Sequence, residues 1–230
     1  INFELFSEIG DDSNGKILKK ILNEKNIKHN LLNKKKYTTT KKRYFTDNQQ
    51  IFREDIENVS INKSVGQIFL KKIKKNDIVI ISDYRKGCID KYLHSKIIKK
   101  KCITFVDPKN NPEFYKDAFL IKPNMEKFKE WCGVFSKKKA FQLIKKMRWS
   151  WLIISHNKEG VYVFNKFGYF NKYKVKKVKK PNVVGAGDIF FSGIIHNYLL
   201  NYDIFTSVEL SSFAATKCVE KNTNKNCKKK

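Results

Sequence analysis

The chain has 230 residues, a hydrophobic fraction of 41%, 18 Phe and a formal net charge of +27. That length suits one ordinary α/β domain or at most two small ones, and the apolar content excludes a disordered chain. The charge favours anionic partners, among which phosphorylated metabolites, nucleic acid and anionic lipid all qualify.

The lysines are scattered, as in Lys34–Lys36, Lys71–Lys75 and Lys99–Lys101, mostly at the ends of periodic runs. A solvated surface explains that placement, and an Ile/Asn/Lys-rich composition also arises from mutational bias. No nucleic-acid-binding motif accompanies the charge, so nucleic acid is not an expected partner. The five cysteines form no C-x-x-C pair, and with four scattered His no zinc spacing arises. Reduced thiols in a cytoplasmic protein are the expectation. The longest apolar run, Ile189 to Leu200, is broken by Ser192, His196 and Asn197 and is too short to span a bilayer. No membrane partner is expected, and no signal segment opens the chain.

In chain order, Ile1 to Ile9 reads as a short buried strand ending at Gly10-Asp11-Asp12. Gly15 to Ile27 reads as a helix, with Ile17, Leu18, Ile21 and Leu22 at helical spacing. Tyr37 to Ile56 mixes Thr and aromatic residues with polar ones, which suits strands with one face open to solvent or ligand. Val65 to Ile73 is an amphipathic helix. Strand-length apolar runs then alternate with helices. They are Ile78–Ile81, a helix from about Ile89 to Lys100, Ile103–Val106, Ala118–Ile121, helices around Met125–Trp131 and Lys137–Met147, and Trp151–Ile154. Val161–Phe164 and Tyr169–Val178 form a hairpin. Two helices follow, from about Ala186 and about Asp203, and the Lys/Asn-rich tail after Val219 is expected to fray. The alternation predicts an α/β fold with a parallel sheet. No repeat or composition break divides it, so one domain over residues 1–220 with a basic tail at 221–230 is expected.

Four predicted buried strands end directly in polar residues: Asp83, Asp107, Asn124 and the Ser155–Asn157 group. In a parallel sheet those ends share one edge, where ligands of open α/β sheets bind. A polar loop after a buried strand is also ordinary. The second feature is Gly185-Ala186-Gly187-Asp188, followed by an apolar run. Glycines turn the backbone tightly, and a helix starting there offers unpaired N–H donors and the positive end of its dipole. The product is an anion cradle beside a carboxylate, the pairing that phosphoryl transfer needs. The plainer alternative is a glycine turn capping a core helix.

Together these residues resemble the ribokinase-like (PfkB-type) carbohydrate kinases, whose signature Gly185-Ala186-Gly187-Asp188 matches. Within that family the heptose 7-phosphate kinases are the branch most resembled. Their likeness is carried by Gly10-Asp11-Asp12, Thr38-Thr39-Thr40-Lys41 with Asn48-Gln49-Gln50 and Arg53, Ser82-Asp83-Tyr84-Arg85-Lys86-Gly87, and Val106-Asp107-Pro108-Lys109. The resemblance implies a Rossmann-like sandwich with a small β lid drawn from about 37–56. It implies ATP and Mg²⁺ as cofactors and phosphorylation of the anomeric hydroxyl of a heptose 7-phosphate in lipopolysaccharide core precursor synthesis. A homodimer through the lid is a further implication.

Asp188 would be the base, and the N–H groups of Gly185, Ala186 and Gly187 would hold charge on the phosphoryl group. Asn124, Glu126, Lys127, Ser155 and Gly160 would lie on the nucleotide side. Gln49, Gln50, Arg53, Asp83, Lys86 and Lys109 are candidates for sugar or phosphate contacts; no metal ligands are assigned. Plainer readings stand beside these. Arg53 pairs with Glu54 or Asp55, Asp83 caps the following helix, Lys86 and Lys109 are solvated, and Gln49 and Gln50 are strand-edge residues.

The pattern is departed from at Asn182, at Val184, at Lys127 where the family has glutamate, in the loop Ser155–Gly160, and at Phe213. The family's first strand and Gly-Gly-x-x-Asn segment would precede Ile1, so an N-terminally incomplete kinase is expected. Another sugar kinase of the family, or a kinase fold that binds without turnover, is the alternative.

Overall fold

The computed structural model describes residues 2–46, 49–57, 64–176 and 185–227, with the backbone alone at 34–35, 49–50, 158 and 221–227. Two compact units emerge. The first comprises Ile1–Asp77 and Asp83–Cys102, the second Ile78–Ser82 and Ile103–Lys230.

The first unit opens with β1 (Glu4–Gly10), α1 (Ser13–Glu24) and β2 (Lys28–Lys35), and its two strands pair in parallel from Glu4↔Lys28 onward. Nothing in Lys28–Lys35 predicts a strand, because the segment alternates no apolar residues. Its partner supplies the order instead: Asn30 Nδ2 donates to Glu4 Oε1 at 2.5 Å across the pair, and Lys72 Nζ meets the same oxygen at 2.6 Å. β1 is less buried than expected. Only Glu8 to Gly10 are enclosed, and Leu5 is exposed, because a two-stranded sheet hides only what its covering helices reach.

An antiparallel hairpin follows, β3 (Thr40–Thr46) with β4 (Gln49–Ile56), bulged between Tyr44 and Phe45. It occupies the stretch expected to give lid strands, and all of β3 after Thr40 is exposed. α2 (Ser64–Lys72) rests its Phe69 edge-on against Phe6 of β1, ring centroids 5.0 Å apart. α3 (Lys91–Lys99) is capped by Asp90, whose side chain accepts from the Leu93 amide. The expected cap, Asp83, lies seven residues before Asp90 and does other work.

The second unit holds β5 (Ile78–Ser82), β6 (Ile103–Asp107), β7 (Leu120–Ile121), α4 (Met125–Cys132), α5 (Lys137–Met147), β8 (Trp151–His156), β9 (Gly160–Asn165), β10 (Phe170–Tyr173), α6 (Ala186–Leu199) and α7 (Ile204–Cys227). Its sheet runs β10-β9-β8-β7-β6-β5, parallel from β5 to β8 and antiparallel at β9 and β10. β6, β7 and β8 are buried on both faces, as apolar runs in a parallel sheet must be. β5, expected to be equally buried, alternates instead. Ile80 is 53% exposed because β5 is the sheet's last strand. One face of the sheet, with Phe105, Leu120, Ile153 and Val163, packs on Phe190, Phe191, Ile194 and Ile195 of α6 and on Ile204 and Val208 of α7. On the other side Phe164 meets Phe141 of α5 edge-on. α7 continues to Cys227, past Val219 where the sequence suggested fraying.

Candidate active site

The parallel register sets the chemistry of the carboxyl edge. Ser82 lies beside Asp107, and Val106 beside Ile121. Beyond β7 the ladder persists: the Lys122 amide donates to Val106 O at 2.9 Å, the Ser155 amide donates to Pro123 O at 3.2 Å, and Asn124 bridges Ser155. Asp107, Lys122, Asn124 and Ser155 therefore come together on one edge of the second unit, as the sequence predicts for Asp107, Asn124 and Ser155. Asp83 follows Ser82 in the chain but belongs to the first unit.

α6 begins at this unit's Gly185, which takes φ 79 and ψ −6, a left-handed conformation that favours glycine. No side chain caps the helix, and a Cβ built at Gly185 or Gly187 would meet nothing within 4 Å. The Ile189 amide bonds Gly185 O at 3.0 Å, so the amides of Ala186, Gly187 and Asp188 are the open donors of the first turn. Asp188 is exposed and makes no hydrogen bond or ion pair among the described residues. This is an uncrowded anion cradle with a free carboxylate one residue inside it. Asn182 and Val184, where the signature is departed from, lie outside the described residues.

The nucleotide-side candidates have local duties. Asn124 Oδ1 accepts from the Lys127 amide at 2.8 Å and caps α4. The Lys127 ammonium folds back to Glu130 one turn along the helix. Glu126 is exposed in the first turn, where the helix dipole favours it. Gly160 has a structural reason to be glycine. Its φ is 102, and a Cβ there would stand 2.0 Å from Tyr173 O.

Lys109 sits on a braced loop. Its amide and that of Asn110 donate to the Tyr115 hydroxyl at 3.2 and 3.0 Å, and Trp131 Nε1 donates to Asn110 O. The exposed Lys109 side chain thus projects from a fixed backbone.

The other sugar-side candidates belong to the first unit. Arg53 Nε meets Asp55 Oδ1 at 2.9 Å, the plainer of its two expected readings. Lys86 is not simply solvated, because it pairs with Glu57 at the end of β4. Lys41 Nζ lies 5.3 Å from the centre of the Tyr84 ring. These two contacts tie the base of the hairpin to the Tyr84–Lys86 loop. Asp83 is 4% exposed, and its Oδ1 accepts from the Arg85 amide at 2.7 Å. It therefore holds a tight turn rather than capping α3. Gln49 and Gln50 stand in β4 opposite Thr46 and Phe45.

Sequence reasoning passed over Lys122. Its side chain is 5% exposed, with Nζ 3.4 Å from Asp107 Oδ1 and 5.6 Å from the centre of the Phe191 ring. The available signal was a lysine directly after a fully buried strand, where a solvated residue is the usual occupant. It also missed the bonding of Asp12 to Thr38.

No three His, Cys, Asp or Glu side chains form a metal-holding group among the described residues. The carboxylates of this unit's edge, Asp107, Glu126 and Asp188, are separate. That donor set fits a Mg²⁺ carried by phosphate groups and taking one or two protein carboxylates, not a dedicated cage. Among the described residues no helix is long and apolar enough to cross a membrane.

Comparison with known proteins adds the family. The family described as pfkB family carbohydrate kinase matches residues 1–230. The chain is 32% identical over 204 residues to the bifunctional protein HldE of a Nitratiruptor species, covering 83% of this chain and 43% of that one. It spans about half the length of the curated relatives it matches. Among solved structures, phosphofructokinase-2 from Escherichia coli in complex with substrates and products aligns with a TM-score of 0.78 at 15% identity, over 95% of this chain and 76% of that one. Arabidopsis thaliana ribokinase complexed with ribose and ATP aligns with a TM-score of 0.74 at 13% identity, over 95% and 76%. At such identity the likeness concerns the fold, which is ribokinase-like. With the family matched from end to end of the chain and the glycine turn formed at the head of α6, the chain belongs to the pfkB family of carbohydrate kinases.

Proposed function

We propose that the chain transfers the γ-phosphoryl group of ATP to the anomeric hydroxyl of a heptose 7-phosphate, giving the 1,7-bisphosphate and ADP. The observation that carries the transfer is the open first turn of α6, with left-handed Gly185 and an exposed Asp188 that has no partner among the described residues. Asp188 takes the proton of the attacking hydroxyl, whose oxygen forms a bond to the γ-phosphorus. The bond from that phosphorus to the β,γ-bridging oxygen breaks, and its electron pair leaves with ADP. The amides of Ala186 and Gly187 stabilise the charge on the transferring group, a task of positioning and electrostatics. Mg²⁺ bound to ATP supplies further charge neutralisation, with Asp107 and Glu126 the candidates to hold it.

The heptose assignment rests on the resemblance of Thr38–Lys41, Gln49-Gln50 and Ser82–Gly87 to heptose 7-phosphate kinases. Gln49, Gln50, Arg53, Asp83, Lys86 and Lys109 are the proposed sugar and sugar-phosphate contacts; Asn124, Lys127, Ser155 and Gly160 are proposed on the nucleotide side. Arg53 suits bidentate phosphate recognition, and Lys86 and Lys109 act as point charges. A second reading, ligand binding without turnover, draws on the engagement of Asn124 in capping α4 and of Lys127 with Glu130.

We also infer that the hairpin is where a second copy docks. Tyr44, Phe45, Ile51 and Phe52 are all exposed on a two-stranded sheet, which is marginal alone in water. ADP release from ATP is measured with heptose 7-phosphate, ribose and fructose 6-phosphate in turn. Turnover confined to the heptose is expected. Turnover with another sugar alone moves the substrate within the family, and analogue binding without any turnover favours the second reading.

A further inference from the structure

A groove lies at the amino edge of the second unit's sheet, the edge opposite the candidate active site. Its volume is about 690 Å³, and its walls are Phe141, Ile144, Lys145 and Arg148 of α5 and its cap with Lys166 and Phe167 of the β9–β10 turn. That volume lies in the range of small-molecule sites. Ser150 also lines it, directly before β8, whereas Ser155 of the candidate active site lies at the far end of that strand, about 16 Å away at strand rise. Lys145, Arg148 and Lys166 carry positive charge, and no lining residue carries a carboxylate.

Hydrogen bonds hold the groove in shape. The Lys166 amide donates to Ser150 O at 3.0 Å, which ties the turn to the start of β8. Asn165 is 6% exposed, and its Oδ1 accepts from the Phe167 and Tyr169 amides at 2.9 and 3.0 Å. Phe167 is therefore 74% exposed on a fixed turn, and the Lys166 ammonium stands 5.1 Å from the centre of its ring. On the α5 side Arg148 ends the helix with φ 57, a conformation that residues bearing a side chain seldom adopt. Asp117 accepts from its Nε and Nη2, which fixes the guanidinium and leaves three of its five N–H donors open. Lys146 pairs with Glu113, but no carboxylate pairs with Lys145 or Lys166 among the described residues.

We propose that this groove binds a small molecule that joins a planar ring to a phosphate monoester. Lys145, Arg148 and Lys166 meet the phosphate, and Phe167 stacks on the ring. Two ammonium groups without carboxylate partners and a fixed guanidinium in one concavity suit a dianion. A phenylalanine held out at the rim, with a cation beside its ring, is stabilised when another flat ring covers it. The concave shape favours a small molecule over the flat face of a macromolecule. This binding is separate from phosphoryl transfer, because neither Gly185 nor Asp188 lines the groove.

The test is binding by the full chain, titrated calorimetrically with phenyl phosphate and with inorganic phosphate. The wild type is compared with Phe167→Ala and with the double variant Lys145→Glu, Lys166→Glu. All three side chains are exposed, so the variants should keep the wild-type thermal midpoint. Should the double variant not fold, Lys145→Gln with Lys166→Gln replaces it. The wild type is expected to bind phenyl phosphate about 2- to 10-fold more tightly than inorganic phosphate, a preference that Phe167→Ala abolishes. The double variant is expected to lose about 10- to 100-fold in affinity for phenyl phosphate. Phosphate held at the first turn of α6 is indifferent to these substitutions, so unchanged affinity in a folded double variant overturns the proposal. A wild type that does not bind phenyl phosphate overturns it too. A preference for phenyl phosphate that survives Phe167→Ala overturns the stacking and the class of ligand with it.

Discussion

Thr38 and Asp12 are locked together across 26 residues: the Thr38 hydroxyl donates to Asp12 Oδ1 at 2.6 Å, and the Thr38 amide donates to Asp12 Oδ2 at 3.0 Å. The Gly15 amide bonds Asp12 Oδ1 at 2.8 Å, and the Gly10 amide bonds Thr38 Oγ1 at 3.0 Å. One carboxylate thus caps α1 and fastens the segment that leads into β3. The glycines leave room for it, because a Cβ at Gly10 would stand 2.4 Å from the Thr38 nitrogen and one at Gly15 would stand 2.3 Å from Gly10 O. Gly15→Ala is expected to destabilise by roughly 1–3 kcal/mol, as overpacking against backbone does, measured by urea unfolding.

The same lock predicts a pH dependence. The Thr38 hydroxyl, then the Thr38 and Gly15 amides, hold the Asp12 carboxyl below its ordinary value. The unfolded chain then binds more protons than the folded one at acid pH, so stability rises with pH there. The contribution is present above the unfolded value of about 3.9 and is lost as pH falls through the lower folded value. Asp12→Asn is expected to lower the urea midpoint at neutral pH and to flatten its fall on acidification. An unchanged acid limb overturns the assignment.

Asp188→Asn separates chemistry from fold. The side chain is exposed and holds nothing among the described residues, so the thermal midpoint should hardly move. Loss of a general base is expected to lower kcat by about 10²- to 10⁴-fold with KM for ATP little changed. Steady-state ADP release reads both.

Asn124 makes the opposite prediction. Its Oδ1 is the cap of α4, so Asn124→Ala should cost about 1 kcal/mol in stability, and Asn124→Ser should restore most of it. If Asn124 also touches nucleotide, the serine variant recovers stability but not KM for ATP. Unfolding and kinetics measured on both variants divide the two roles.

Gly160→Ala tests a residue whose glycine is already required by packing. Positive φ and the Tyr173 carbonyl 2.0 Å from the new Cβ together predict a loss of at least ~2 kcal/mol. The damage should appear in stability before it appears in nucleotide affinity, as thermal unfolding alongside analogue binding will show.

Phe52→Asp tests the hairpin. Phe52 lies opposite Tyr44 on an exposed face, their ring centroids 5.6 Å apart. If a second copy covers that face, sedimentation velocity should show a dimer for the wild type and a monomer for the variant. A wild type that stays monomeric at high concentration removes the dimer.

Much of the second unit was legible in the sequence. Ile103–Val106, Ala118–Ile121 and Trp151–Ile154 are apolar at strand length because both faces of a parallel sheet are buried, and that need is written locally. Gly185 was legible for a similar reason, since its left-handed turn demands a particular residue at a particular place. The first unit was read less well. Lys28–Lys35 has only the adjacent pair Leu31 and Leu32 as apolar residues, with no strand alternation, and becomes a strand by pairing with β1, a long-range partner that no local pattern encodes. The burial of Lys122 against Asp107 and Phe191, the seizure of Thr38 by Asp12 and the exclusion of a Cβ at Gly160 by Tyr173 are likewise properties of neighbours far apart in the chain. Periodicity and backbone conformation are local and can be read along a sequence. Which charge is enclosed, and by what, depends on desolvation and distance, and only the folded arrangement sets those.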